Sequence, residues 1–256
     1  RALVAPHIDP SAGARVYAAA YGALSQTRPS KVVLLGTGHN LSSGLFCFTE
    51  KDFQTPLGIA PNEVGMTREL VRAAGGTAAD NDFAHCFEHS LEFQILFLQH
   101  LFGSAFTVVP VLCGSLLSGL DQYSREAFLN QAGAFLDKLR ELLQQDPSET
   151  LLVAGVDFSH IGPKFGHPQP ASHLESQATD HDKNLMQHLL HQEADLFWRE
   201  SIETEDKFNV CGFSSLACLL EVLPPCSGRI LDYQMQHEQP TQSAVSFAAM
   251  AFFAQD

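Results

Sequence analysis

Continuous apolar runs closed by glycine or proline alternate along this chain with stretches of helical spacing. In Lys31–Asn40, KVVLLGTGHN, residues Val32–Leu35 are wholly apolar and Gly-Thr-Gly ends the run. That is the pattern of a strand buried on both faces, as in a parallel sheet. Ala2–Ala5 repeats it and is followed by Pro6 and His7, while Gly13–Leu24 between the two runs has helical spacing. The opening therefore reads as strand, helix, strand. His7 and His39 each stand just past a strand's carboxyl end, where ligands gather in open α/β sheets.

The same alternation continues to the end of the chain. LFCFTE reads as a strand, TPLGIAP as a loop, and Glu63–Ala74 as a helix. A helical stripe of Leu91, Ile95, Leu98 and Phe102 lies within Glu88–Phe102, with Gly103 as its end cap. Phe106–Leu112 is a strand in which Pro110 is irregular, and Ser124–Gln144 is a long helix. Leu151–Val156 is a third buried strand, and Asp157-Phe158-Ser159-His160 follows it. Ile161–Ser172 reads as a loop over the site. Helices are expected at His173–Gln192, Asp195–Glu203 and Gly212–Leu223, the last broken by Pro224-Pro225. Arg229–Gln234 reads as a strand, Met235–Gln242 as a polar loop and Ser243–Phe253 as a closing strand. With no linker, repeat or low-complexity segment, residues 1–256 are expected to form a single α/β domain. Its central sheet is mostly parallel or mixed and flanked by helices.

Composition narrows the function. With 15 basic and 29 acidic residues the net charge is −14. A nucleic-acid binder normally carries a basic stripe, so that class is excluded, and an anionic membrane surface is disfavoured. No apolar run approaches the roughly 18 residues of a membrane span. No signal-peptide pattern is present, so a cytoplasmic location is expected, although the chain opens so abruptly on a core strand that residues upstream are expected too. The six cysteines lack CxxC spacing and read as reduced, mostly buried residues. GTGHN lacks the continuation of a dinucleotide fingerprint, and there is no P-loop, nucleophile elbow or HExxH.

The 12 histidines carry the chemical signal. His7 and His39 are 32 positions apart, about one βαβ period, so the two side chains are expected on neighbouring strand ends, at one edge of the sheet, as candidate metal ligands. His160 at a third strand end is an acid–base group or further ligand. His89, at a helix start, faces the same cleft or water. Glu92 is placed to orient His89. Asp9 either orients His7 or caps the loop before the helix. Asp157 either serves the site or pins a loop. His181, His188 and His191, lying among Asp182, Lys183 and Gln187, read as a solvated helix face.

Six ordered blocks carry a family resemblance: APHID, LLGTGH, EHSLEFQ, VAGVDFSHIGPKFG, NVCGFSSLACLLEVL and VSFAAMAF. In order and spacing they resemble the Memo family, and within it the bacterial branch called AmmeMemoRadiSam system protein B. That family is distantly similar to the class III extradiol dioxygenases, which hold non-haem Fe(II) with two histidines and a glutamate. The resemblance implies a Memo-like, dioxygenase-like α/β fold with a metal cleft. It carries the first two metal ligands onto His7 and His39. It places the third, a cysteine in animal members, in the loop before the VSFAA strand, where this chain has none. His237 is the nearest competent residue there, with Glu238 beside it as the alternative. The implied cofactor is a divalent ion, Fe(II) first, with Zn or Cu as alternatives. The implied partners are an unidentified small-molecule substrate and radical-SAM and AMME-domain proteins. Two functions stand open: a metal-dependent enzyme of the oxidoreductase type, and a non-catalytic binding or adaptor protein retaining the cleft.

Overall fold

The computed structural model describes residues 2–254. The strands are β1 (Ala2–Ala5), β2 (Lys31–Thr37), β3 (Phe46–Phe48), β4 (Phe53–Thr55), β5 (Gly58–Ala60), β6 (Thr107–Cys113), β7 (Thr150–Gly155), β8 (His160–Ile161), β9 (Cys226–Glu238) and β10 (Ser243–Ala254). The helices are α1 (Pro10–Gly22), α2 (Val64–Ala74), α3 (His89–Phe102), the single turn α4 (Leu116–Gly119), α5 (Arg125–Gln145), α6 (Glu175–Leu190), α7 (Ala194–Glu203) and α8 (Phe213–Val222).

One mixed sheet runs in the order β3-β6-β2-β7-β1-β10, with β9 outside β10 and β8 pairing with the far end of β10. The four strands β6, β2, β7 and β1 are parallel; β3 and β10 flank them antiparallel. Alternate residues of each central strand face opposite layers. Leu3, Ala5, Val32 and Leu34 pack against α1 and α3, while Ala2, Val4, Val33 and Leu35 join the layer containing α2, α5 and α8. Both faces are covered, which explains why these strands read as unbroken apolar runs. Pro110 is tolerated because β3 pairs only with residues 111–113 of β6. The outward bonds of Val108 go to Pro61 and Glu63 instead. Pro110, two residues on, turns its nitrogen to the same side, where no strand lies opposite.

Register positions the site. Ala5 pairs with Gly155, and Gly155 with Gly36, so the ends of β1, β7 and β2 are level. His7 lies two residues beyond that row, Asp157 two and His39 three. Over this row α3 packs closely. A Cβ on Gly36 would come within 2.6 Å of Ser90 Oγ and Leu91, and one on Gly155 would collide with the Ser90 carbonyl. Both positions therefore require glycine for close approach.

Three sequence expectations change. TPLGIAP is not a plain loop: it closes the β4–β5 hairpin. Met235–Gln242 is not a polar loop either, because β9 continues through Glu238 and pairs with β10 as far as Ser243. As an edge strand, β9 has a polar face toward solvent, which made its sequence resemble a loop. His181 and Asp182 are buried rather than solvated. Asp182 accepts hydrogen bonds from the hydroxyls of Ser159, Ser246 and Tyr233, and His181 Nδ1 pairs with Glu200 at 3.0 Å. The helix face is charged, but its partners come from β9, β10, α7 and the turn after β7.

Gly155→Ala is expected to destabilise the fold by about 1–3 kcal/mol through overpacking against α3. Urea unfolding of the variant beside the parent checks this; an unchanged midpoint would mean that α3 is not seated on the strand ends.

Candidate metal centre at the strand carboxyl ends

His7 leaves the core at the end of β1 and is buried. Its backbone N–H donates to Asp157 Oδ1 at 2.9 Å, and its Nδ1 lies 2.9 Å from the Gly155 carbonyl. A carbonyl oxygen only accepts, so Nδ1 carries the proton and Nε2 keeps its lone pair. That Nε2 is 3.4 Å from Cys211 Sγ. Burial, with His39 adding to it, pushes the His7 imidazole down to about 3, so the ring is neutral.

Glu88 fixes His39 in two places. Its carboxylate accepts from the His39 backbone N–H at 2.9 Å and lies 3.0 Å from Nδ1. It also caps α3 through Ser90 N–H at 3.0 Å. Burial alone would raise this carboxyl, but the hydrogen bonds from His39 and Ser90 outweigh it and hold it down at about 2. A carboxylate holding Nδ1–H directs Nε2 as the donor atom, the arrangement that orients metal-binding histidines.

Cys211 arrives from the loop between α7 and α8. In that loop Glu205, Asp206 and Asn209 adopt left-handed φ values of 52°, 51° and 50°. Asp206 Oδ1 accepts from Val210 N–H, and the Asn209 amide donates to the carbonyls of His160 and Phe165 at 3.1 and 3.2 Å. Thr37 Oγ1 holds the Cys211 carbonyl at 3.3 Å. Burial and the nearby Asp157 push the Cys211 thiol well up, so it is neutral until a cation displaces its proton.

Ligand atoms of His7, His39 and Cys211 lie within 4.8 Å of one another. Bond lengths in tetrahedral sites put donor atoms about 3.4–3.8 Å apart, so a modest closing movement brings the three onto one ion. Two imidazoles with their second nitrogens tied back, and one thiol, fit a transition ion with coordination positions left over.

The other expected residues fall as follows. His89 stacks on His39 with ring centroids 5.0 Å apart and approaches His7 at 5.3 Å; burial lowers its pKa. Its carboxylate neighbour is Glu88, at 3.6 Å, and Glu92 is exposed and does not take that position. Asp9 caps α1, accepting from the Ser11 N–H and hydroxyl. Asp157 is buried, 3.7 Å from His7 Nε2. Burial pushes it up to about 6, against the hydrogen bond from His7 N–H and the neighbouring His160. His160 Nδ1 donates to the Phe158 carbonyl at 3.0 Å, leaving Nε2 unprotonated, and Phe165 stands edge-on to its ring. His7, His39, His89, Asp157, His160 and Cys211 all line one cavity of about 720 Å³.

His237 and Glu238 are not part of this group. His237 is exposed near the β9–β10 turn, 3.6 Å from Glu175, and lines a separate cleft. Glu238 pairs with Lys164 at 2.8 Å. The expected loop is a hairpin, so its residues are held in a ladder away from the histidines. The donor that the structure places beside His7 and His39 is Cys211 Sγ. The signal was NVCG, a cysteine before glycine at a helix start within a block already linked to the family.

The comparisons agree with this architecture. The family model described as Memo-like protein matches residues 1–251. A MEMO1 family protein of Aquifex aeolicus is 31% identical over 254 residues, covering 99% of this chain and 64% of that protein. A MEMO1 family protein of Thermus thermophilus is 30% identical over 248 residues, covering 96% of this chain and 69% of that protein. This chain thus spans about two thirds of the length of these relatives. The crystal structure of an uncharacterised protein of Escherichia coli K12 superposes with a TM-score of 0.53 at 15% identity, covering 97% of this chain and 98% of that one. Among the described residues no helix is long and apolar enough to cross a membrane. Matched along nearly its whole length, the chain belongs to the Memo family.

Proposed function

We propose that this protein is a metal-dependent enzyme of the oxidoreductase type, with a divalent ion held by His7 Nε2, His39 Nε2 and Cys211 Sγ. The observation that carries the reading is the convergence of these three donors, each imidazole tied back through Nδ1, in the lining of one cavity. Fe(II) is the proposed ion; Zn and Cu compete, because a thiolate donor suits them better than the carboxylate it replaces. When bound, the ion supplies Lewis acidity and open positions for oxygen donors.

The protein's own residues supply the rest. His160 takes a proton from a substrate hydroxyl at Nε2, its ring held by the Phe158 carbonyl and Phe165. His89 hydrogen-bonds the substrate from the opposite side, stacked on His39. Asp157 fixes the His7 backbone and stabilises the charge gained at His160. Radical-SAM and AMME-domain partners belong to this proposal on the strength of the family resemblance, and a cytoplasmic setting on the expectation drawn from the sequence.

Protein purified without oxygen is expected to hold about one metal ion per chain by elemental analysis. The His7→Ala, His39→Ala double variant and Cys211→Ser should lose most of it, whereas His237→Ala should keep it. A folded parent protein that takes up no ion at any pH would favour the adaptor reading instead. Glu88→Gln keeps the shape but removes the charge behind His39, and is expected to weaken metal affinity by about 10–100-fold. Competition with a chromophoric chelator measures that change; equal affinity would remove Glu88 from the site.

A further inference from the structure

The strand order distributes chemistry unevenly along the cavity. Asp157, His39 and His7 come from just beyond the ends of β7, β2 and β1, and His160 opens β8. The end of β6, beyond β2, instead delivers Leu116 and Leu117 on α4. Tyr123 and Phe213 continue that wall, with ring centroids 6.0 Å apart. Leu41 and Val210 line it as well. Leu117 is 54% exposed, with its side chain open to the cavity.

Four of the polar groups around this wall are already committed, while the Ser115 and Ser214 hydroxyls line it as uncharged groups. Asp9 caps α1, Asp206 accepts from Val210 N–H, Asn209 donates to two carbonyls, and the Tyr123 hydroxyl bonds Ser201 at 2.7 Å. Lys164 is the one lysine or arginine among the described lining residues, and its ammonium is paired with Glu238. Asp9, Asp157 and Asp206 line the same cavity. A phosphorylated or carboxylate-bearing body would meet carboxylates without a free cation to receive it. An uncharged apolar body would meet leucines and aromatic rings.

We infer that the cavity takes an amphipathic small molecule, with oxygen donors at the histidine–cysteine end and an uncharged apolar body along the α4 wall. The inference rests on the proposed metal site for the first half only; the wall stands on its own residues.

Hydroxamic acids provide the probe, because one bidentate oxygen head can carry different arms. Acetohydroxamic acid, hexanohydroxamic acid and the adipic acid monohydroxamate are titrated into Co(II)-loaded protein, and the Co(II) absorption is followed. The hexanoyl arm is expected to bind at least about tenfold tighter than the acetyl arm, since each buried methylene contributes roughly fourfold. The carboxylate-ended arm of equal length should lose most of that gain. Leu117→Asp, on an exposed residue, should abolish the hexanoyl advantage and leave acetohydroxamic acid unchanged. Equal binding of the two neutral arms, or tighter binding of the acidic one, overturns the inference. Should the protein take up no Co(II), the metal reading fails, and the wall is decided on metal-free protein with the neutral dye N-phenyl-1-naphthylamine. Fluorescence gained with the parent and lost with Leu117→Asp supports the inference; no gain, or a gain unaffected by the substitution, overturns it.

Discussion

The seating of α3 on Gly36 and Gly155 is the contact on which the site depends. Two adjacent parallel strands lack side chains at the same level, so a helix comes down onto their backbone. Ser90 Oγ then reaches the Thr37 carbonyl and Gln94 reaches the Pro6 carbonyl. These bonds satisfy backbone groups where the ladder ends, a place where buried carbonyls would otherwise be costly. The same helix start carries Glu88 and His89. One packing event therefore delivers the carboxylate that orients His39 and the ring that stacks on it.

The donors reach the site by different physical routes. His7 and His39 leave β1 and β2, which are not the adjacent strands expected because β7 lies between them, but the three ends are level, so their meeting still follows from regular structure. Cys211 comes from an irregular loop locked against the β7–β8 turn: His160 N–H donates to the Phe208 carbonyl, Gly212 N–H to the Asp157 carbonyl, and Asn209 bridges two more. His160 and the Cys211 segment are thus parts of one hydrogen-bonded unit. A disturbance of either segment reaches the other.

These routes explain what could be read from the sequence. Strands buried on both faces must be apolar throughout, so β1, β2, β6 and β7 were plain, and the histidines beyond β1 and β2 were plain with them. Cys211 was not, because a loop with three left-handed residues has no periodicity to mark where its side chains go. His237 misled because the edge strand β9 carries polar residues that imitate a loop. Asp182 read as surface because the three hydroxyls that satisfy it come from positions 159, 233 and 246, a closure no local window contains. Asp9 and Glu92 stood close to histidines in sequence, yet one turned to its own helix start and the other to water.

The left-handed conformations at Glu205, Asp206 and Asn209 have a thermodynamic consequence. Each such residue costs on the order of 1 kcal/mol or more, and that cost is met during folding, when the loop is fastened to its neighbours. The sulfur therefore stands in position, and a cation bound as proposed would have little backbone disorder to remove. Capture by such a preorganised claw keeps more of its intrinsic affinity than capture by a slack one.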